Sequence, residues 1–273
     1  MSTWKLSIVA LCASIVAISP PSAEAGFTLY NQNFESPTGF VNDGGDINIF
    51  RTVNENYGNQ PAGFAFAQTF TVETLHATGT QAFGTGYSDP QHIGGNFVLG
   101  MLSVAQDDRL SLSFNLQGQN FLNFRLNISS IDLDRFGGTF NTTASVPVFK
   151  VTLFDNPSGS VGLSGNGTIL ATTQITGLAS TSRSTFNWTQ HTLALNAGAA
   201  TNGNVTMQID ELNTLGGGYA ALDNFLIVAS NTPGDVSSPV ATPEPATIVA
   251  FGLGVIGLLS TRRARRPVTA RAT

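Results

Sequence analysis

The sequence predicts an all-β body, a jelly-roll-like antiparallel β-sandwich, set between an apolar N-terminal segment and a single C-terminal transmembrane helix. Three observations predict it. Apolar and polar residues alternate with period two at many places in the middle of this 273-residue chain, as strands with one buried face require. The intervening segments are rich in Gly, Asn, Ser, Thr and Asp, the residues that make turns. No stretch of the body carries a 3.6-residue apolar period, and β-branched and aromatic residues dominate its apolar set.

The chain opens with Lys5 ahead of an apolar run over 6–18, followed by Pro20, Pro21 and Ala23-Glu24-Ala25. That order is a secretory signal peptide over residues 1–25, with small residues at Ala23 and Ala25 for signal peptidase and Gly26 as the first residue after the cut. Cys12, the only cysteine, lies inside it. The exported remainder then holds no thiol, which excludes thiol catalysis and disulfides. A body of roughly 200 residues buries a core large enough to stand without them. Between residues 26 and 242, fifteen acidic residues stand against six basic ones, a net of −9. Such a surface repels nucleic acid.

The clearest strand lies at 109–117, where Leu110, Leu112, Phe114 and Leu116 face one way and Ser111, Ser113, Asn115 and Gln117 the other. Leu122, Phe124, Leu126 and Ile128 repeat the pattern, as do Val205, Met207 and Ile209. Weaker alternation marks strands at 47–53, 64–72, 97–104, 148–154, 168–174, 186–195 and 219–228. About ten strands in one domain over 26–230 imply two packed sheets. Pro233, Gly234, Ser237, Ser238 and Pro239 then make residues 231–242 a flexible linker.

The end of the chain has three parts in order: Pro243-Glu244-Pro245, a mostly apolar run over 246–260, and the cluster Arg262, Arg263, Arg265 and Arg266. A helix over 246–260 reaches about 22 Å, close to the thickness of a bilayer core. The arginines stay on the cytoplasmic side and leave the β body outside. Residues 243–267 resemble the PEP-CTERM sorting signal of Gram-negative bacteria. The resemblance implies that an exosortase cuts at or near Pro243, Glu244 and Pro245, passing the protein from an inner-membrane-anchored intermediate to the cell surface or beyond. Gly252, Gly254 and Gly257 in this run satisfy a dinucleotide-binding spacing, but no strand precedes them, and glycines there serve helix packing.

The body begins with Asn31-Gln32-Asn33-Phe34-Glu35 and ends with Ala221-Leu222-Asp223-Asn224-Phe225. These ends resemble the first and last strands of galactose-binding-like jelly-roll carbohydrate-binding modules. That resemblance implies adjacent termini and a structural Ca2+ held by Glu35 and Asp223. Calcium takes six to eight oxygens, so backbone carbonyls, Asn33 or a loop aspartate would complete the shell. Aromatic faces for a pyranose ring are to be sought at Trp188, Tyr57, Tyr87 and Tyr219, with Trp188 equally suited to the core.

Enzymatic readings find less support. Asp132 and Asp134 share one face of a strand, and Asp107-Asp108 and Asp210-Glu211 are neighbours at strand ends, read as turn and solubility residues. His76, His92 and His191 match no metal-binding spacing, and no serine sits in a nucleophile elbow. Three functions follow. The first is a non-catalytic surface or extracellular-matrix protein associated with exopolysaccharide or biofilm, with exosortase, signal peptidase, the membrane and polysaccharide as partners. The second is a carbohydrate-binding module with structural calcium. The third is a secreted glycan-acting hydrolase, which needs paired carboxylates in one cleft.

Overall fold

Alternation along a strand sends every second side chain to one face, so two sheets can close over the rows they share. The computed structural model describes residues 26–41, 47–48, 51–58, 65–69, 71–77, 87–103, 107–131, 146–163, 167–179, 185–212 and 219–237. Along these run β1 (Phe27–Gln32), β2 (Ile47–Asn48), α1 (Val53–Asn56), β3 (Ala65–Gln68), β4 (Val72–His76), β5 (Phe97–Met101) and β6 (Arg109–Asn115). There follow β7 (Phe121–Ile131), β8 (Val148–Asp155), β9 (Ile169–Thr176), β10 (Thr189–Asn196), β11 (Asn204–Glu211) and β12 (Tyr219–Ser230). A seven-stranded sheet runs β10-β7-β12-β5-β4-β2, with β1 also on β12, and a five-stranded sheet runs β3-β6-β11-β8-β9. The protein is an all-β antiparallel sandwich.

The interior rows are those the alternation marks. Leu110, Leu112 and Phe114 from β6, Leu122, Phe124, Leu126 and Ile128 from β7, and Val205, Met207 and Ile209 from β11 all enter the core between the sheets. Each large side chain withdrawn from water there contributes about 1.5–3 kcal/mol. A second cluster covers the outer face of the seven-stranded sheet, where Leu75, Val98, Ile131 and Ala221 meet Phe186 and Trp188. Trp188 is therefore buried, not an exposed platform, because the segment ahead of β10 folds it onto that face.

Three expectations change in the structure. The expected strand at 64–72 divides into β3 and β4, which lie in different sheets, and the Val72 N–H donates to the Thr69 carbonyl (3.1 Å) where the chain crosses over. The expected strand at 47–53 keeps only β2. Thr52 and Glu55 then cap each other across one helical turn, a reciprocal pairing that outweighs strand propensity over so short a stretch. Ser111 and Ser113 face away from the core but are not solvated. The chain after β8 crosses over them, and their hydroxyls donate to the carbonyls of Gly162 (2.7 Å) and Ser160 (3.3 Å).

The chain leaves the sandwich under restraint. The buried Asn123 side chain donates to Ser230 Oγ (2.9 Å) and to the Thr232 carbonyl (3.1 Å), and accepts from the Gly234 N–H (2.7 Å). At the same end a Cβ on Gly26 would lie 2.7 Å from that of Ser230, so only glycine fits where β1 enters beside the end of β12. The signal peptide, the expected transmembrane run and the arginine cluster lie outside the described residues. Among the described residues no helix is long and apolar enough to cross a membrane.

Phe225 joins the two halves of the core, edge-on to both Phe34 and Phe124 at 5.1 Å between ring centres. Phe225→Ala is expected to cost about 3–5 kcal/mol, read as a lower urea midpoint at unchanged slope.

Candidate functional site

Strand β12 holds β7 along one edge, but on its other edge it changes partner, pairing β5 through Ala220, Ala221 and Leu222 and β1 from Phe225 onward. Asp223 and Asn224 fall in the gap. The register against β7 slips there by one residue, a bulge that frees local backbone from the ladder and redirects side chains. Asn224 takes a left-handed φ of 53°, which asparagine tolerates better than most residues. Its N–H donates to Asp223 Oδ1 (2.6 Å), and its side-chain amide donates to the Ile93 carbonyl (3.3 Å).

The end of β1 supplies the second carboxylate. Phe34 has φ 57° and a fully buried ring, its N–H donating to Gln32 Oε1 (3.0 Å) and its carbonyl accepting from the buried Tyr57 hydroxyl (2.7 Å). Burying that ring turns the next side chain, Glu35, toward the start of β5, where its carboxylate accepts from the backbone N–H groups of Asn96 (2.9 Å) and Phe97 (3.3 Å). Gly95 makes room for it. A Cβ there would come within 1.9 Å of Glu35 Oε1, and the residue has φ 52°, so glycine is required twice over.

A third acidic residue comes from the loop before β5. Asp89 accepts from the N–H groups of Gln91 (3.2 Å), Ile93 and Gly94 (both 2.8 Å), folding that loop around itself. Gln91 ties the loop to Trp188, accepting from its N–H at 2.5 Å and donating to its carbonyl at 3.1 Å. Asp223 feels all of this. Burial, then the charges of Glu35 and Asp89, push its carboxyl up to about 8 against the lowering effect of the Asn224 N–H.

Beside these carboxylates opens a cavity of about 280 Å3, lined by Ala77, Tyr87, Asp89, His92, Gly95 and Phe186. Tyr87 stacks on Phe186 with ring centres 5.1 Å apart, giving the cavity an aromatic wall, while Asp89 and His92 supply polar groups. The cavity can therefore offer an apolar face and hydrogen bonds to one small ligand. Among the sequence candidates Tyr57 is buried, Tyr219 is half-buried, and Tyr87 alone lines this cavity.

The structure thus brings Glu35 and Asp223 within reach of each other's charge and adds Asp89, which no short motif marked because it arrives from a separate loop. Asn33 instead caps the turn, its side-chain oxygen accepting from the Glu35 N–H (3.3 Å). Asp132 and Asp134 lie outside the described residues. Among those described, no three His, Cys, Asp or Glu side chains converge as a metal cage. His76 instead stacks on Phe97 at 4.7 Å, and His92 is exposed. Asp108, Asp210 and Glu211 were expected as turn and solubility residues, but all three are buried. β11 runs two residues past Ile209, carrying Asp210 and Glu211, and Asp108 immediately precedes β6, facing Glu211 across the ladder.

Beyond the sandwich, residues 241–266 match the PEP-CTERM protein-sorting motif. The chain carries a PEP-CTERM sorting signal. That signal implies export, processing by an exosortase at the membrane, and arrival at the surface of a Gram-negative cell. Pro243, Glu244, Pro245 and the four arginines Arg262, Arg263, Arg265 and Arg266 all fall within the matched stretch.

No curated protein matches the chain. Among solved structures, a xylan-binding domain of carbohydrate-binding module family 22 is 11% identical, with 78% of this chain and 99% of that one covered and a TM-score of 0.37. An apo-form cyclase from Fischerella sp. is 11% identical over 76% of this chain and 98% of that one, with a TM-score of 0.43. An arabinose-bound α-L-arabinofuranosidase is 14% identical with a TM-score of 0.40, covering 75% of this chain, which spans only 26% of that enzyme. No residue role passes from such distant likenesses to this chain.

A carboxyl at about 8 when folded and near 3.8 when unfolded binds its proton more tightly in the native state. Its stabilising contribution is complete below about pH 4 and is lost as pH rises toward about 8. In EDTA the melting temperature should fall across that window. Asp223→Asn should remove several degrees of the fall, since each kcal/mol moves a domain of this size by roughly 2–4 °C.

Proposed function

We propose that this is a non-catalytic, exosortase-sorted surface protein of the extracellular matrix. Its sandwich body is fastened by one structural Ca2+ at Glu35 and Asp223 and associates with exopolysaccharide through the adjoining cavity. The observation that carries the reading is the buried Asp223 carboxyl set against Glu35 and Asp89 at the bulge where β12 changes partner. Without a cation, these groups share a site only if a proton neutralises one of them. A calcium ion would offset two of the three charges and tie the last strand to the first. Glu35 and Asp223 would hold it, with the Ile93 carbonyl and water as the further oxygens.

The non-catalytic part of the proposal draws on exposure. A glycosidase acid and base must both touch the sugar across a cleft. Asp108 and Glu211 have no exposed surface and Asp223 has 1%, so none of them can reach a glycosidic oxygen. Asp89 does line the cavity, but its two oxygens already hold three backbone N–H groups. Tyr87 offers a ring face for the apolar side of a pyranose, and Asp89 and His92 offer hydrogen bonds to its hydroxyls.

Calcium at a hundred times its dissociation constant should stabilise the protein by about 2.7 kcal/mol, visible as a rise of roughly 5–10 °C in melting temperature. Asp223→Ala should remove that part of the rise, and below pH 8 binding should release a proton into weakly buffered solution. An unchanged melting temperature at millimolar calcium would remove the metal from the proposal. Tyr87→Ala should reduce retention on neutral polysaccharide in affinity gels at least tenfold while leaving the calcium response intact. Equal retention of the two proteins would show that the cavity is not where glycan binds.

A further inference from the structure

A second pair of acids lies in the interior, away from the site just described. In the ladder between β6 and β11, Leu112 faces Met207, Leu110 faces Ile209 and Arg109 faces Asp210. The next pair is Asp108 and Glu211, joined by the Glu211 N–H donating to the Asp108 carbonyl at 2.8 Å. Residues directly opposite in an antiparallel pair project from the same face. Because side chains alternate, Asp108 and Glu211 extend the row of Leu110 and Ile209, which is core, while Arg109 and Asp210 lie on the outer face. Both acids have no exposed surface.

Like charges directly opposite each other are destabilising even on a wet sheet, and burial makes an uncompensated pair worse. Asp108 has donors: the Thr69 hydroxyl (2.9 Å), the Thr71 hydroxyl and the Ser103 N–H (2.8 Å). Glu211 has none on either oxygen. The contrast with other buried acids is clear. Asp155 is held by the Thr201 N–H (3.0 Å) and hydroxyl (2.5 Å), and Asp210 by the Gln208 amide at 2.7 Å with Arg109 and Lys150 at 3.3 and 3.7 Å. Those two bases sit on the outer face and cannot serve Glu211. On β8 its neighbour is Phe149. The charges that reach it are those of Asp108 and Asp107, which with burial push its carboxyl well above the usual range.

We propose that Asp108 and Glu211 form a second binding site for a hard divalent cation of the calcium type. Glu211 brings two bare oxygens and Asp108 a carboxylate already aimed by its donors, with water filling the remaining positions. The donor set is oxygen alone, which selects calcium, magnesium or manganese over zinc or copper. The bound ion would lock the end of β11 to Thr69, Thr71 and Ser103, which Asp108 already gathers. The Glu35–Asp223 site lies in the other sheet, so each can be tested in the other's absence.

The test is a count of bound Ca2+ by equilibrium dialysis at pH 7 on the whole protein, with Glu211→Gln, Asp223→Ala and the double variant. Two equivalents in the parent, one in each single variant and none in the double variant are expected. Glu211→Gln keeps the shape of the side chain and removes its charge, so a melting temperature in EDTA at or above the parent's shows that it folds. If Glu211→Gln binds as many equivalents as the parent, Glu211 is only a buried protonated acid and the second site does not exist. If the parent binds one equivalent that Glu211→Gln abolishes, this site stands and the one at Asp223 falls. If Asp223→Ala alone abolishes it, the reverse holds.

Discussion

The seven-stranded sheet depends on a single hand-over along β12. That strand is paired to β7 over nearly its full length, yet on its other edge it holds β5 first and β1 afterwards. The change of partner coincides with a one-residue slip of β12 against β7 at Asp223, a bulge that frees local backbone from the ladder. Its consequences spread outward. Alternation from Ala221 puts Asp223 on the outer face, and the bulge after it lets Phe225 enter the core. The end of β1 swings Phe34 into the core, and Glu35 is delivered to the backbone of Asn96 and Phe97. The core and the acidic site are built by the same few residues.

The body carries a large excess of acid, and it places much of that acid inside. Each buried carboxylate meets the cost of leaving water in a different way. Asp155 takes a threonine, Asp210 takes two bases across neighbouring strands, and Asp108 takes hydroxyls and a backbone N–H. Asp223 and Glu211 have surroundings that favour a proton or a cation, and burial pushes the Asp108 carboxyl up as well despite its donors.

Sorting and body meet at Asn123. Its side chain grips the chain from Ser230 to Gly234, seven residues before the sorting match begins at 241. Seven residues extend about 25 Å at most.

By itself, the sequence determined the all-β class, the three inward rows and the sorting signal, because those are written in local periodicity and in a contiguous three-part tail. Leu110 to Phe114, Leu122 to Ile128 and Val205 to Ile209 face where alternation puts them, since a residue's face depends only on its position in the strand. The likeness of the two ends of the body pointed to Glu35 and Asp223, but Asp89 was illegible, as it arrives from a loop with no motif of its own. Only the tertiary structure decided the rest. It buried Trp188 beneath a second cluster, split the stretch at 64–72 between sheets, and carried Asp108 and Glu211 into the interior. Each of these depends on which strand lies opposite which, and pairing partners far apart in the chain leave no trace in local pattern.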